Sequence, residues 1–187
     1  MIEFLNGFDF SNKTVFEYGS GASTLFWATR ANEVISIEFD GEWHQSLLSK
    51  IPKNVTLMHE PDGRKYASSI QKFSRQFDVI VIDGAERNRC AVADINSLKP
   101  GGMIILDNAE WYPNTAGYLA STGLIEIPFS GFSPVNAFCS TSTAFLTRDF
   151  AFPQKTQSRH PPVGGRALPA PAFDDVMTSV NEVARAC

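Results

Sequence analysis

The sequence has few of the features that mark secreted or membrane-spanning proteins. Its 187 residues include three cysteines, Cys90, Cys139 and Cys187, and no two of them form a C-x-x-C pair. An odd number of widely spaced cysteines argues against a disulfide scaffold or a structural zinc site and predicts a cytoplasmic protein. Residues 1–12 lack the basic region and long apolar run of a signal peptide. No segment approaches the ~20 apolar residues of a membrane span, so no membrane partner is expected.

Positive charge is also scarce. Lys and Arg number 16 against 20 Asp and Glu, which gives a formal net charge of −4. Tight binding to a phosphate backbone requires a basic surface, so a nucleic-acid partner is not expected. The 43% hydrophobic content supplies enough apolar side chains for one domain with a sizeable core.

Strand-like and helix-like segments alternate along the chain. The β-branched and apolar runs predict strands at residues 14–17, 33–38, 55–58, 78–83, 103–106, 124–128 and 143–147. Amphipathic spacing predicts helices at residues 23–30, 40–50, 64–75, 89–98 and 112–121. Alternating βα units predict an α/β fold with a doubly wound, mostly parallel sheet and helices on both faces.

The pattern changes near residue 150. Residues 1–150 are predicted to form the domain, whereas 151–187 form a tail rich in Pro and Gly. The tail ends in a predicted short amphipathic helix over Phe173–Ala186. This helix either docks on the body, docks on a neighbouring subunit to form a homo-oligomer, or covers the substrate.

A glycine loop follows the first predicted strand. Gly19 and Gly21 allow a tight turn and close approach of a ligand to the backbone. Ser20 and Ser23 are candidate N-caps of the next helix, whose first N–H groups would face a ligand. The loop therefore predicts a nucleotide-cofactor site.

Two residues depart from the dinucleotide-binding pattern G-x-G-x-x-G. Thr24 stands where the third glycine belongs, and Glu17 precedes the loop. A carboxylate repels a pyrophosphate and attracts an ammonium group. These residues disfavour a nicotinamide-dependent oxidoreductase and favour S-adenosylmethionine, which carries an amino group and no phosphate.

Polar residues lie at or just beyond the carboxyl ends of five successive predicted strands. In an open parallel sheet these ends meet at one edge, where ligands bind. A rim of acceptor groups suits a cationic cofactor that carries a ribose diol. The residues are Glu17, Glu38, Asp62, Asp83, Asp107 and Asn108.

Together these motifs resemble those of the class I S-adenosylmethionine-dependent methyltransferases. The resemblance covers about Thr14 to Arg148 and is carried by Glu17–Gly21, Glu38, Asp78–Asp83 and Leu98–Gly102. It implies a seven-stranded sheet whose last strand is antiparallel. It also implies an enzyme that transfers a methyl group to an oxygen or nitrogen of a small molecule or glycan.

The resemblance also implies which residues bind the cofactor. Glu17 would help to hold the amino group, and Glu38 would accept hydrogen bonds from the ribose hydroxyls. Asp62 and Gly63 would lie near the adenine, and Phe39 would pack on its face. The full set of expected cofactor-binding residues is Glu17, Gly19, Ser20, Gly21, Ser23, Glu38, Phe39, Asp62, Gly63 and Asp83.

Asp83, Asp107 and Asn108 resemble the metal site of divalent-cation-dependent O-methyltransferases. Two carboxylates and an amide oxygen suit Mg²⁺, which would lower the pKa of a bound hydroxyl. The lysine of those enzymes is absent, because residues 84–87 are Gly-Ala-Glu-Arg. The candidate catalytic residues are Asp83, Asn108 and Glu86. In a metal-free alternative Asp83 is a base or orients the substrate, and Asn108 caps the turn after its strand.

Two alternatives to the methyltransferase remain open. One is a non-catalytic module that binds the cofactor on the same fold, and the other is the disfavoured oxidoreductase. Trp111 and Tyr112 would either wall the acceptor site or pack in the core. The N-terminal helices that many small-molecule methyltransferases use as a lid are not expected, because about a dozen residues precede the first strand.

Overall fold

A computed structural model describes residues 1–132 and 137–155. Seven strands form one sheet in the order β3-β2-β1-β4-β5-β7-β6, and β7 is antiparallel to both of its neighbours. The predicted seven-stranded sheet with an antiparallel last strand is confirmed. The strands are β1 Thr14–Tyr18, β2 Glu33–Glu38, β3 Val55–His59, β4 Phe77–Ile82, β5 Leu98–Leu106, β6 Ile125–Phe132 and β7 Cys139–Leu146.

Six α-helices connect or precede these strands: α1 Ile2–Asn6, α2 Ala22–Ala28, α3 Gly41–Leu47, α4 Gly63–Ala67, α5 Arg87–Asp94 and α6 Pro113–Ser121. Helices α3, α4 and α5 are shorter than predicted because each continues as a 3₁₀ turn, at Leu48–Lys50, Ser68–Lys72 and Ile95–Ser97. A further 3₁₀ turn, Ala109–Trp111, follows β5. No helix of the described residues is long and apolar enough to cross a membrane.

The core has two layers, one on each face of the sheet. Alternate residues of β4 show this directly, because Ile80 and Ile82 pack with α4, α5 and α6, whereas Val79 and Val81 pack with α1 and α2. All six residues of β4 are buried. A strand covered on both faces must be apolar at successive positions, which explains the unbroken apolar run in the sequence.

Other parts of the described structure also differ from the sequence prediction. Residues 99–102, which lie between the predicted helix 89–98 and the predicted strand 103–106, belong to β5, where the register against β4 shifts and Gly101 adopts a φ of +76°. The residues before β1 include helix α1, which the sequence analysis did not anticipate. Residues 152–155 also pack on the body, since Phe152 is buried and Gln154 forms a bridge with Phe8. The predicted helix over Phe173–Ala186 lies outside the described residues.

A buried polar pair ties β1 to α5. The Tyr18 hydroxyl oxygen lies 2.7 Å from the Ala67 carbonyl oxygen and 2.9 Å from Oδ1 of Asp94. One hydroxyl proton serves only one of these two acceptors. Burial raises the pKa of Asp94 well above its usual range. A protonated Asp94 would resolve the conflict, because it would donate to Tyr18 while Tyr18 donates to Ala67.

Candidate functional site

The loops after β1 and β4 touch each other through their backbones. These strands are neighbours at the point where the strand order reverses. Gly19 has a φ of +84°, and a Cβ atom there would lie 2.7 Å from the Asp83 carbonyl oxygen. A Cβ at Gly84 would lie 2.7 Å from the Gly19 nitrogen. The two glycines therefore allow the loops to meet at the edge where such sheets bind ligands.

Hydrogen bonds anchor the glycine loop to the buried carboxylate that precedes it. The Gly21 N–H donates to Thr24 Oγ1 at 2.8 Å, and the Thr24 hydroxyl donates to Glu17. The Ser36 hydroxyl also donates to Glu17, at 2.8 Å, and Ser20 Oγ lies 2.7 Å from Ser36 Oγ. Thr24 thus orients the loop at the position where a dinucleotide site has glycine. Gly21 is the N-cap of α2, so neither Ser20 nor Ser23 caps this helix.

Glu17 itself lies beneath the loop and has no exposed surface. Burial raises the pKa of its carboxyl group, although the hydroxyl groups around it act in the opposite direction. Its Oε1 atom has no geometrically well-formed hydrogen bond within the described structure. The side chain does not line the cavity above the loop. Its observed contacts orient the loop, and direct contact with a cofactor amino group stays a prediction.

Glu38, at the end of β2, is held by three backbone donors. Its Oε2 accepts from the Ser20 N–H at 2.9 Å, and its Oε1 accepts from the N–H groups of Phe39 and Asp40 at 2.8 Å. The residue is 8% exposed. These three N–H donors fix the carboxylate beside the glycine loop. Asp40 caps α3 by accepting from the Trp43 N–H.

A polar cavity of about 410 Å³ opens over this loop. Trp43 forms part of its wall, and a hydrogen bond from Trp43 Nε1 to the Ser20 carbonyl oxygen, at 2.7 Å, fixes the indole ring beside the loop. The sequence analysis did not identify Trp43, whose helical spacing indicates only an amphipathic helix. The lining residues are Gly19, Ser20, Gly21, Ala22, Ser23, Glu38, Trp43, Asp83 and Gly84. Six of the ten predicted cofactor-binding residues are among them.

The residues expected near the adenine do not line this cavity. Asp62 is exposed and caps α4 by accepting from the N–H groups of Arg64 and Lys65. Phe39 is 37% exposed and packs edge-on against Tyr66 at a centroid distance of 5.7 Å. Gly63 is adjacent to the Glu86 side chain, which a Cβ atom would approach to 2.9 Å. The adenine site of Asp62, Gly63 and Phe39 stays a prediction.

Glu86 lies at the N-terminus of α5, with its side chain beside Gly63. It adopts a left-handed conformation with a φ of +53° and forms an ion pair with Arg89 at 2.8 Å. It lines neither the polar cavity nor the apolar cavity described below. A catalytic role for Glu86 gains no support from this position.

Asp83, Asp107 and Asn108 converge on the guanidinium group of Arg87. This side chain is 9% exposed and donates to Asp83 Oδ1 at 3.1 Å and to Asn108 Oδ1 at 3.3 Å. It also donates to the carbonyl oxygen of Asp107 and stacks over Tyr112 at 4.6 Å. Burial and the neighbouring Asp107 carboxylate raise the pKa of Asp83, although Arg87 acts in the opposite direction.

The three predicted metal ligands do not fit a divalent cation in this arrangement. Arg87 already donates to Oδ1 of Asp83 and to Oδ1 of Asn108, so these two atoms are not free to serve as ligands of a divalent cation. Within residues 1–132 and 137–155, no group of three or more His, Cys, Asp and Glu side chains is placed to hold a metal ion. Arg87 therefore supplies a fixed positive charge where the sequence analysis expected Mg²⁺.

A second cavity, of about 290 Å³, adjoins the polar one and shares Ala22, Ser23 and Asp83 with it. Helix α1 supplies part of its wall through Ile2 and Leu5. The N-terminal segment thus contributes to the site. The other lining residues are Met1, Phe26, Trp27, Val81, Ile105, Asp107 and Ser142.

The architecture of this chain is shared by many solved structures. The sequence matches no protein-family model, and no curated protein is significantly similar to it. Precorrin 8W decarboxylase from Methanobacterium thermoautotrophicum superposes with a TM-score of 0.57 at 21% identity, over 78% of this chain and 87% of that protein. The fold is that of the class I methyltransferases.

Two further structures carry the same fold. An rRNA methylase from Streptococcus thermophilus gives a TM-score of 0.57 at 13% identity, over 78% of this chain and 93% of that one. The N-methyltransferase NodS from Bradyrhizobium japonicum, in complex with S-adenosylhomocysteine, gives 0.54 at 15% identity, over 73% and 78%. Their names cover different substrates and reactions, so the likeness identifies the methyltransferase fold and leaves the acceptor open.

Proposed function

We propose that this protein transfers a methyl group from S-adenosylmethionine to an oxygen or nitrogen atom of a small molecule or glycan. The observation that carries the proposal is the pair of adjoining cavities. The polar cavity has the glycine loop and Glu38, and the apolar one meets it at Ala22, Ser23 and Asp83. Methyl transfer requires two ligands that touch, and this arrangement provides two compartments with a common boundary.

The residues around the polar cavity fit the cofactor. Glu38 presents a fixed carboxylate, which suits the two hydroxyls of a ribose. Gly21 leaves open space at the cavity wall, since a Cβ atom there would meet no heavy atom within 4 Å. When bound, S-adenosylmethionine supplies a methyl group on a positively charged sulfur. Glu38 and Asp83 both line this cavity, and carboxylates there would attract a cationic ligand and repel a pyrophosphate.

The protein's own task is to place the acceptor atom and to receive its proton. Asp83 lies on the boundary of both cavities and is therefore the candidate base. Arg87 fixes the Asp83 carboxyl by donating to its Oδ1 atom. The small volume of the apolar cavity and the net charge of −4 favour a small acceptor over a nucleic acid.

Calorimetric titration with S-adenosylhomocysteine tests the cofactor assignment. We expect micromolar binding that Mg²⁺ does not change, because Arg87 already binds the oxygen atoms that a metal would need. NADH is the matched control ligand and should not bind. Binding of NADH alone would support the oxidoreductase, and Mg²⁺-dependent binding would restore the metal site.

An assay of methyl transfer distinguishes an enzyme from a module that only binds the cofactor. A panel of small hydroxyl and amine compounds is incubated with S-adenosylmethionine, and release of S-adenosylhomocysteine is measured by mass spectrometry. We expect turnover with at least one acceptor, reduced by Asp83→Asn. A variant that binds the cofactor normally but has lost turnover would support the role of Asp83 in transfer. Cofactor binding without turnover on any acceptor would favour the non-catalytic module.

A further inference from the structure

The apolar cavity has two acidic side chains, Asp83 and Asp107, among walls that are otherwise mostly apolar. We propose that it binds an acceptor with a protonated amine on a small apolar body, with the ammonium group held by Asp83 and Asp107. This inference rests on the proposed function and specifies the acceptor class for the same site.

The walls select an apolar body. Six aliphatic or aromatic side chains line the cavity, from α1, α2 and the central strands, and its volume of about 290 Å³ suits a group of ring size. These side chains are Ile2, Leu5, Phe26, Trp27, Val81 and Ile105. Burial of a ring among them is favourable, whereas a polar sugar would lose hydration without gaining hydrogen bonds from these walls.

Two carboxyl groups form the polar end of the cavity. Asp83 and Asp107 both line the cavity, and the one guanidinium that pairs with Asp83 belongs to Arg87. The Ser142 hydroxyl donates to Asp107 Oδ1 but brings no charge. Of the described residues that line the cavity, none is Lys, Arg or His. The α-amino group of Met1, on the same wall, interacts electrostatically with Glu3.

A cationic ligand completes this arrangement. Burial and the neighbouring Asp107 carboxylate raise the pKa of Asp83 because two charged carboxylates repel each other there. An ammonium group would relieve this repulsion by donating charge-assisted hydrogen bonds to both carboxyl groups. An alcohol of the same shape would fill the cavity but leave the repulsion in place. A carboxylate ligand adds to the repulsion. The cavity therefore discriminates by charge at one end and by shape along its walls.

The same pair of carboxylates can take up the proton that the reaction releases. The ammonium group passes one proton to Asp83, and the nitrogen lone pair then forms the bond to the methyl carbon. The carbon–sulfur bond breaks and leaves its electron pair on sulfur. The products are an N-methylammonium ion, the neutral thioether and a protonated carboxyl group, so charge and atoms balance.

Binding of three matched probes tests the proposal. We use 2-phenylethylamine, 2-phenylethanol and 3-phenylpropionate, which share a ring and differ in the charge of the tail. Each is titrated by calorimetry into the protein saturated with S-adenosylhomocysteine. We expect the amine to bind at least about tenfold more tightly than the alcohol, and the carboxylate to bind weakest. Equal affinity of the amine and the alcohol would overturn the inference.

Two variants locate the selectivity. Asp107→Asn keeps the shape of the side chain and removes one charge, so the preference for the amine should fall to within about threefold. Glu110→Gln is the matched control, because Glu110 follows the same strand and binds the Thr141 N–H but does not line the cavity. It should keep the full preference. An unchanged preference in Asp107→Asn would also overturn the inference.

The failure of this inference is distinguishable from failure of the proposed function. S-adenosylhomocysteine binding is measured first in every variant, and it reports both the fold and the polar cavity. A protein that does not bind the nucleoside contradicts the proposed function. One that binds it without distinguishing the amine from the alcohol contradicts only the acceptor class.

Discussion

Replacement of Glu38 by Ala is the sharpest test of the polar cavity. The carboxylate is fixed by the N–H groups of Ser20, Phe39 and Asp40, and it lines the cavity beside the glycine loop. In the proposed complex it accepts hydrogen bonds from the ribose hydroxyls. Alanine removes those acceptors and leaves the apolar body of the site unchanged.

The size of the effect follows from the charge of the acceptor. A hydrogen bond to a charged group contributes about 1.5–3 kcal/mol, so loss of one raises the Kd of S-adenosylhomocysteine by about tenfold to a hundredfold. The same change deprives three backbone N–H groups of their acceptor. Water in the cavity can accept some of these lost hydrogen bonds. We therefore expect the free energy of unfolding to fall by about 1–3 kcal/mol.

The assay is calorimetric titration well below the melting temperature of the variant, together with urea unfolding. Asp149→Ala is the matched control. Asp149 is an exposed carboxylate that accepts from the Gly101 N–H, near the start of β5 and outside the cavity. The Asp149→Ala variant should lower the free energy of unfolding slightly and leave the Kd of S-adenosylhomocysteine unchanged. The comparison distinguishes the loss of an acceptor for a backbone N–H from the loss of a contact to the ligand.

Unchanged affinity in Glu38→Ala would refute this reasoning. The glycine loop would then bind its ligand without the β2 carboxylate, and Asp40 would be the next candidate for the ribose contact. A loss of affinity shared equally by Asp149→Ala would mean that both changes act through the fold. Only a selective loss in Glu38→Ala supports the assignment.

Three further predictions concern the same fold. Gly84→Ala should destabilise the protein by about 1–3 kcal/mol because the methyl group would overlap Tyr66, whereas Gly117→Ala, with nothing within 4 Å, should stabilise α6 by about 0.5–1 kcal/mol in urea unfolding. Trp43→Phe should abolish most of the fluorescence change caused by S-adenosylhomocysteine, and an unchanged signal would place the ligand elsewhere. When folding raises the pKa of a carboxyl group, the free energy of unfolding of the protein falls as the pH rises above about 3.9, by up to about 1.4 kcal/mol per pH unit. Asp94→Asn should therefore be more stable than the parent at pH 8 and gain little at pH 4, and parallel pH profiles would contradict a protonated Asp94.

The central strands could be predicted because strands buried on both faces require apolar and β-branched residues. β2 begins and ends at the residues predicted from its β-branched run, and β4 was recognised by apolar residues at successive positions. Helix ends were less predictable. The change to a 3₁₀ turn after α4 depends on packing beneath Ile70, which no local signal reports.

The site was predicted in part. Glu38 and the glycine loop follow directly from the ends of β2 and β1, since the carboxyl end of a parallel strand fixes where the next residues lie. Trp43 was missed because its role depends on a hydrogen bond to Ser20, 23 positions away in the chain. Helix α1 was missed because only five residues form it.

The sequence by itself determined the α/β class and the edge of the sheet at which Glu38 and the glycine loop lie, and it predicts a ligand without pyrophosphate. These depend on residue type and on periodicity, which are local. The tertiary structure decided that Arg87 binds Asp83 and Asn108, and that α1 helps to enclose an apolar cavity. Asp83 is only four residues from Arg87, but Asn108 is 21 residues away, and α1 is distant in the chain from the strands that it covers. These contacts therefore form together only when several elements pack at once. The close approach of Asp83 and Asp107, which end neighbouring strands, is a property of that packing.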